Sequence, residues 1–300
     1  MGKEIMHSRR IVTAVIALVI LAGLNTWFLG SRTLVRRVAY KLKRSWLLVT
    51  GRLIDVGGYR LHIESLGTGM PTVVMDAGLC QNINTWGRVP SELAHFTRVI
   101  TYERASLGWS DSGPSPRTSQ QNVTELARLL FKAGIAGPLL LVGHSFGGFN
   151  VRLFASEHPS TVVGMVLIDS SYEDQFLRFA ALKSPEAKEA YLQHESGANC
   201  EQVDMLASAE EVRRAAPLST IPVMILTADG INSNGTMNAA LNSELRQAQQ
   251  EMQAELSHVI PNSRHFLVKN SGHFIQLDQP DLVIHSIRTM VELTRSKLHP

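Results

Sequence analysis

The stretch Leu139-Leu140-Leu141-Val142-Gly143-His144-Ser145-Phe146-Gly147-Gly148 decides the reading of this chain. Its apolar first half, the run 138–142, marks a strand covered on both faces, and residues 149–157 continue from it as a helix. A strand that enters a helix through Gly-x-Ser-x-Gly turns so sharply that the serine takes strained backbone angles. Small residues two places before and two places after it then avoid overlap. Gly143 and Gly147 stand at those places. A phosphate-binding turn would need Gly-x-Gly-x-x-Gly or a Lys-Ser/Thr end, and neither is present. Ser145 is therefore the candidate nucleophile.

A serine hydroxyl is unreactive at its own pKa and needs a base within hydrogen-bond reach. Of eleven histidines, His273 in Asn270-Ser271-Gly272-His273-Phe274 follows the last predicted strand and precedes the last helix, where such a base belongs. His265 falls inside a strand and His285 inside the final helix, positions of core or surface residues. His144 adjoins the nucleophile, is expected to point away from it, and would hold the turn. Two carboxylates could orient the base: Asp169, ending Val166-Leu167-Ile168-Asp169, and Asp229, in Leu226-Thr227-Ala228-Asp229-Gly230. Asp169 is favoured and Asp229 is the alternative acid; the other reading of Asp169 is a helix cap. The oxyanion formed by attack on a carbonyl needs two backbone donors. Phe146 N–H at the helix start is one candidate, and Leu79 N–H in Asp76-Ala77-Gly78-Leu79-Cys80 is the other.

Outward from the elbow, short apolar runs bounded by Gly and Pro alternate with amphipathic stretches, as in a largely parallel sheet covered by helices. Strands are predicted at 53–56, 59–65, 72–75, 98–102, 138–142, 162–168, 222–226 and 264–268, the first two forming a hairpin through Gly57-Gly58. Helices are predicted at 86–95, 120–133 (with Val123, Leu126, Ala127, Leu130 and Phe131 on its buried face), 149–157, 237–259 and 278–298. The expected fold class is α/β, a mostly parallel eight-stranded sheet with a short helical cap inserted at 171–220 into a domain spanning 51–300. A hydrophobic content of 44% with 18% charged residues fits such a globular domain.

Residues 1–50 read differently. Residues 11–30 are uncharged and as a helix would reach about 30 Å, the thickness of a hydrocarbon core. Because bulky Trp27, Phe28 and Leu29 precede Arg32 and no small-x-small site is evident, an uncleaved single-pass anchor is favoured over a signal peptide. Cations crowd both flanks, so the side on which the domain lies stays open; the stretch 34–48 reads as an interfacial helix or a linker. Much of the formal charge of +3 comes from these flanks, a pattern suited to lipid headgroups and one that argues against nucleic acid. The two cysteines, Cys80 and Cys200, are far apart; two separate buried thiols are favoured, with a disulfide the alternative if the domain faces an oxidising space.

Four motifs together resemble the α/β-hydrolase superfamily and, within it, the esterase, lipase and peroxidase-like branch. They are Asp76-Ala77-Gly78 ahead of Trp86; Tyr102-Glu103-Arg104-Ala105-Ser106-Leu107-Gly108-Trp109-Ser110-Asp111; Gly143-His144-Ser145-Phe146-Gly147-Gly148; and Ser271-Gly272-His273. The resemblance runs from about residue 51 to the C-terminus. Ala77-Gly78 departs from the usual His-Gly, and Glu103 stands where Asp is common. The resemblance implies a serine hydrolase that cleaves a small-molecule or lipid ester through an acyl-enzyme, without cofactor or metal. Amide, thioester or carbon–carbon cleavage by the same triad, or a non-catalytic receptor of the same fold, are the alternatives. A serine at the elbow argues against epoxide hydrolases and haloalkane dehalogenases, which need a carboxylate there.

Overall fold

The computed structural model describes residues 51–182, 199–218, 221–230 and 239–298. Eight strands form one sheet: β1 (Arg52–Asp55), β2 (Arg60–Leu66), β3 (Thr72–Asp76), β4 (Val99–Glu103), β5 (Leu139–His144), β6 (Val162–Ile168), β7 (Val223–Ala228) and β8 (Ser263–Val268). Their order is β1-β2-β4-β3-β5-β6-β7-β8. β1, β2 and β4 pair antiparallel and the remaining neighbours parallel. The predicted class holds, with strand ends moved by one or two residues. The opening hairpin closes because the Asp55 carboxylate accepts from the N–H groups of both Gly57 and Gly58 at 3.1 Å.

Every residue of β3, β4, β5 and β7 is buried, and these mostly apolar strands feed two separate cores. Along β5, Leu139 and Leu141 enter one core with Phe149, Leu126 and Leu256. Leu140 and Val142 enter the other with Trp86, Val89, Ile287 and Val291. Each such buried side chain contributes about 1.5–3 kcal/mol over leaving it in water.

Helices α1 (Val89–Leu93), α2 (Ser119–Lys132), α3 (Gly147–Glu157), α4 (Gln175–Ala180), α5 (Met205–Arg214), α6 (Ala239–Val259), α7 (Ile275–Asp278) and α8 (Pro280–Leu298) surround the sheet. The helix expected at 86–95 is two pieces, a 3₁₀ turn Ile83–Trp86 and α1, parted at Gly87. Phe131 is 83% exposed, contrary to the expected buried face. At about 100° per residue it lies far around α2 from Leu126 and Leu129, which are fully buried.

Of the 171–220 insertion the described parts give α4 and α5; α5 starts where the Asp204 carboxylate accepts from Ala207 N at 2.8 Å. The anchor expected at 11–30, the segment 34–48 and the start of the helix expected from 237 lie outside the described residues. Among the described residues no helix is long and apolar enough to cross a membrane.

Candidate active site

The carboxyl ends of β3, β5, β6 and β7 lie side by side, with Asp76 opposite Gly143, His144 opposite Ile168, and Ile168 opposite Leu226. Residues just past these ends therefore meet, although 60 to 130 positions can separate them in the chain.

Ser145 occupies the corner between β5 and α3 with φ of 52°. Its peptide is held from several sides: its N–H donates to Ile168 O at 3.1 Å, and its carbonyl accepts from Gly148 N at 2.9 Å and Ser171 N at 3.0 Å. A positive φ is costly for a residue with a side chain, and it persists because these bonds over-determine the turn. The flanking glycines are required by close approach. A Cβ on Gly147 would sit 2.1 Å from Asp76 O, and one on Gly143 would sit 2.6 Å from Val151 Cγ2. The same approach packs the start of α3 against the loop after β3, so the backbones carrying Phe146 and Leu79, the two expected oxyanion donors, are neighbouring segments. Phe146 is fully buried and Leu79 half-buried.

His273 and Asp169 meet. The imidazole Nδ1 lies 2.7 Å from Asp169 Oδ2, with Asp169 buried and the His273 side chain 37% exposed. Asp169 also has a positive φ, 39°; its N–H donates to Leu226 O at 2.7 Å, and its Oδ1 accepts from Ala228 N at 3.1 Å. Burial alone would push this carboxyl up, but the His273 hydrogen bond, the charge on that ring and the Arg246 guanidinium outweigh it and hold the group below its ordinary value. Arg246 comes from α6 and places Nη1 3.1 and 3.2 Å from the two carboxylate oxygens. Asp229, the alternative acid, instead accepts from Ser271 N at 3.3 Å, and Gly230 N donates to Ser271 O at 2.9 Å. It steadies the loop that carries His273 rather than touching the imidazole.

His144 is fully buried and bridges the two sides of the site. Its Nε2 lies 2.9 Å from His273 O and its Nδ1 lies 3.1 Å from Gln81 Oε1. Burial, reinforced by the nearby His273 ring, lowers its pKa to about 3, so it is neutral. His144, expected to hold the turn at Ser145, thus also ties that turn to the loop that carries His273. Among the described residues no hydrogen bond joins the Ser145 hydroxyl to His273; such contacts are often long before substrate is bound.

Three features arise from long-range meetings that local sequence spacing does not announce. Cys80 and Cys200 form a disulfide and both residues are exposed, which corrects the reading of two buried thiols. The cap's turn at 199–204 returns to the loop after β3, a long-range meeting that no local spacing announces. Arg246 is one cation on a polar helix, with no signal marking it as the partner of Asp169. Glu103, where Asp is usual, lies 3.2 Å from His62 Nδ1 through one oxygen and accepts from Trp109 N, closing the loop that follows β4.

Residues 73–285 match the alpha/beta hydrolase family, and the chain belongs to that family. Among its relatives is the uncharacterized protein YqjL of Bacillus subtilis, 26% identical over 246 residues, which cover 81% of this chain and 91% of that protein. Similar solved structures include a thermophilic esterase from Thermogutta terrifontis, 22% identical with a TM-score of 0.57 over 82% of this chain and 98% of the other. Another is the epoxide hydrolase CorEH, 18% identical with a TM-score of 0.53 over 80% of this chain and 98% of that one. At these identities the likeness describes the fold, and the choice between such chemistries rests on the residues at the elbow.

Proposed function

We propose that this chain is a serine hydrolase that cleaves a carboxylic ester through an acyl-enzyme. The observation that carries the reading is the 2.7 Å contact between His273 Nδ1 and Asp169 Oδ2 beside a serine held at positive φ on a strand-to-helix corner. With Nδ1–H donated to the carboxylate, Nε2 is left as the acceptor, the tautomer a general base needs. Ser145 Oγ attacks the ester carbonyl carbon while His273 Nε2 takes its proton. The oxyanion is met by Phe146 N–H and Leu79 N–H. The imidazolium then returns the proton to the departing alkoxide, and water, activated by the same nitrogen, releases the acid. No cofactor or metal enters this scheme.

The experiment is turnover of p-nitrophenyl esters of increasing chain length. Wild-type protein hydrolyses them, and Ser145→Ala lowers kcat by about 10⁴-fold or more; equal turnover by the variant contradicts the reading. If residues 11–30 are a retained anchor, enzyme and lipid ester concentrate at one surface, and the rate rises with acyl length. A preference for acetyl favours a small soluble ester.

A further inference from the structure

The proposed triad leaves unused the most heavily bonded side chain near it. Arg104 follows β4 and is 2% exposed. Its Nε donates to Glu201 Oε2 at 2.7 Å, its Nη1 to the Asp76 carboxylate and to Ala77 O at 2.7 Å, and its Nη2 to Gly78 O and Glu201 Oε1, both at 2.7 Å. A guanidinium has five N–H donors, and these five acceptors use all of them.

This has a direct consequence for the oxyanion loop. In a trans peptide the carbonyl and the following N–H point in opposite directions, and Gly78–Leu79 is not among the cis bonds. Drawing Gly78 O onto Arg104 therefore turns Leu79 N–H to the opposite side of the loop. Arg104 is itself held from the cap. Glu201 supplies two of its acceptors and also accepts from Cys80 N at 2.7 Å. The residues adjoining Leu79 and Glu201, Cys80 and Cys200, are joined covalently, and both are exposed residues.

We propose that Arg104 is the positioning residue for the oxyanion loop, that Glu201 holds it in place, and that the Cys80–Cys200 disulfide makes this hold redox-dependent. The proposal rests on the serine-hydrolase reading. In the switching step a dithiol thiolate attacks one cysteine sulfur and displaces the other as a thiolate. The second thiol of the reductant closes its own disulfide, so the protein gains two electrons and two protons and the reductant loses them. Glu201 is then tethered only through the chain, Arg104 loses its cap-side anchor for part of the time, and the Leu79 N–H wanders from its aim. A donor that acts on the transition state reads out in kcat rather than KM.

The test uses the full chain with a p-nitrophenyl ester, before and after dithiothreitol, with two released thiols confirmed by titration and folding confirmed by near-UV circular dichroism. Reduction is expected to lower kcat roughly 10-fold with KM unchanged within about twofold, and reoxidation restores it. The double variant Cys80→Ser with Cys200→Ser matches the reduced enzyme and ignores dithiothreitol. Arg104→Lys, with three donors for five acceptors, loses roughly 100-fold in kcat. Should Arg104→Lys fail to fold, the disulfide arm decides alone. Turnover that is unaffected by complete reduction, or a change confined to KM, overturns this inference and leaves the serine-hydrolase reading standing. Absence of both turnover and fluorophosphonate labelling in the oxidised wild type overturns both.

Discussion

Asp169 and Asp229 end neighbouring strands, and each backs the loop that carries His273, yet they do different work. Asp169 is fully buried and faces a ring nitrogen on one side and a guanidinium on the other. Asp229 is only partly buried and accepts from a backbone N–H two residues before the histidine. The difference teaches that strand position brings a carboxylate to the neighbourhood of the base, while the direction of the side chain decides whether it can set the tautomer. One steadies the imidazole and the other its loop.

The largest effect should come from removing that distinction chemically. Asp169→Asn is expected to lower kcat by about 10⁴-fold, because an amide can donate to Nδ1 and fix the wrong tautomer. Asp229→Asn should cost less than about tenfold, since it weakens one hydrogen bond of a loop. Steady-state kinetics of the two variants, side by side, check this; similar losses would erase the comparison.

Arg246 sharpens it. The cation beside Asp169 helps to hold that carboxyl below its ordinary value and touches both of its oxygens, so Arg246→Gln loosens the carboxylate that faces the ring and is expected to lower kcat by roughly 3- to 10-fold in steady-state kinetics. That loss should lie between those of Asp169→Asn and of a surface charge removed elsewhere on α6.

A smaller effect concerns stability rather than rate. His144 stays neutral in the fold down to about pH 3, whereas in the unfolded chain it takes up a proton near its ordinary value of about 6.5. Between those values the unfolded state binds more protons. Its contribution is therefore complete above about pH 6.5 and is lost as pH falls toward 3, at up to about 1.4 kcal/mol per pH unit. His144→Gln should flatten that slope in urea titrations at pH 4 to 7. Asp169, with its pKa lowered, adds its own loss as pH falls through its ordinary value of 3.8 and on through the lower folded one.

Much of this was legible in the residues, for physical reasons. The elbow could be read because steric demand writes itself locally: Gly143 and Gly147 have backbone or side-chain atoms where a Cβ would go. His273 could be read because the final strand and helix bracket it. The carboxylate that meets His273 could be narrowed only to two, because β6 and β7 are neighbours that each carry an Asp just past their last residue and chain spacing carries no side-chain direction. The disulfide was out of reach because it joins residues 120 positions apart through a cap whose path the sequence does not describe. Phe131 was misplaced because an apolar residue at helical spacing can still lie at the margin of the stripe, and here the buried face centres on Leu126 and Leu129. Arg104 was visible in the stretch 102–111, but its buried partner Glu201 lies almost a hundred residues later.

The central claim is that Ser145 is made nucleophilic by a histidine aligned by Asp169. The most direct measurement is the rate and site of modification by a fluorophosphonate, followed by peptide mass spectrometry, in wild type, Ser145→Ala, Asp169→Asn and Asp229→Asn. The account predicts an adduct on Ser145 alone, abolished in Ser145→Ala, slowed by orders of magnitude in Asp169→Asn and nearly unchanged in Asp229→Asn. An adduct on another residue, or wild-type labelling at Asp169→Asn, would contradict it.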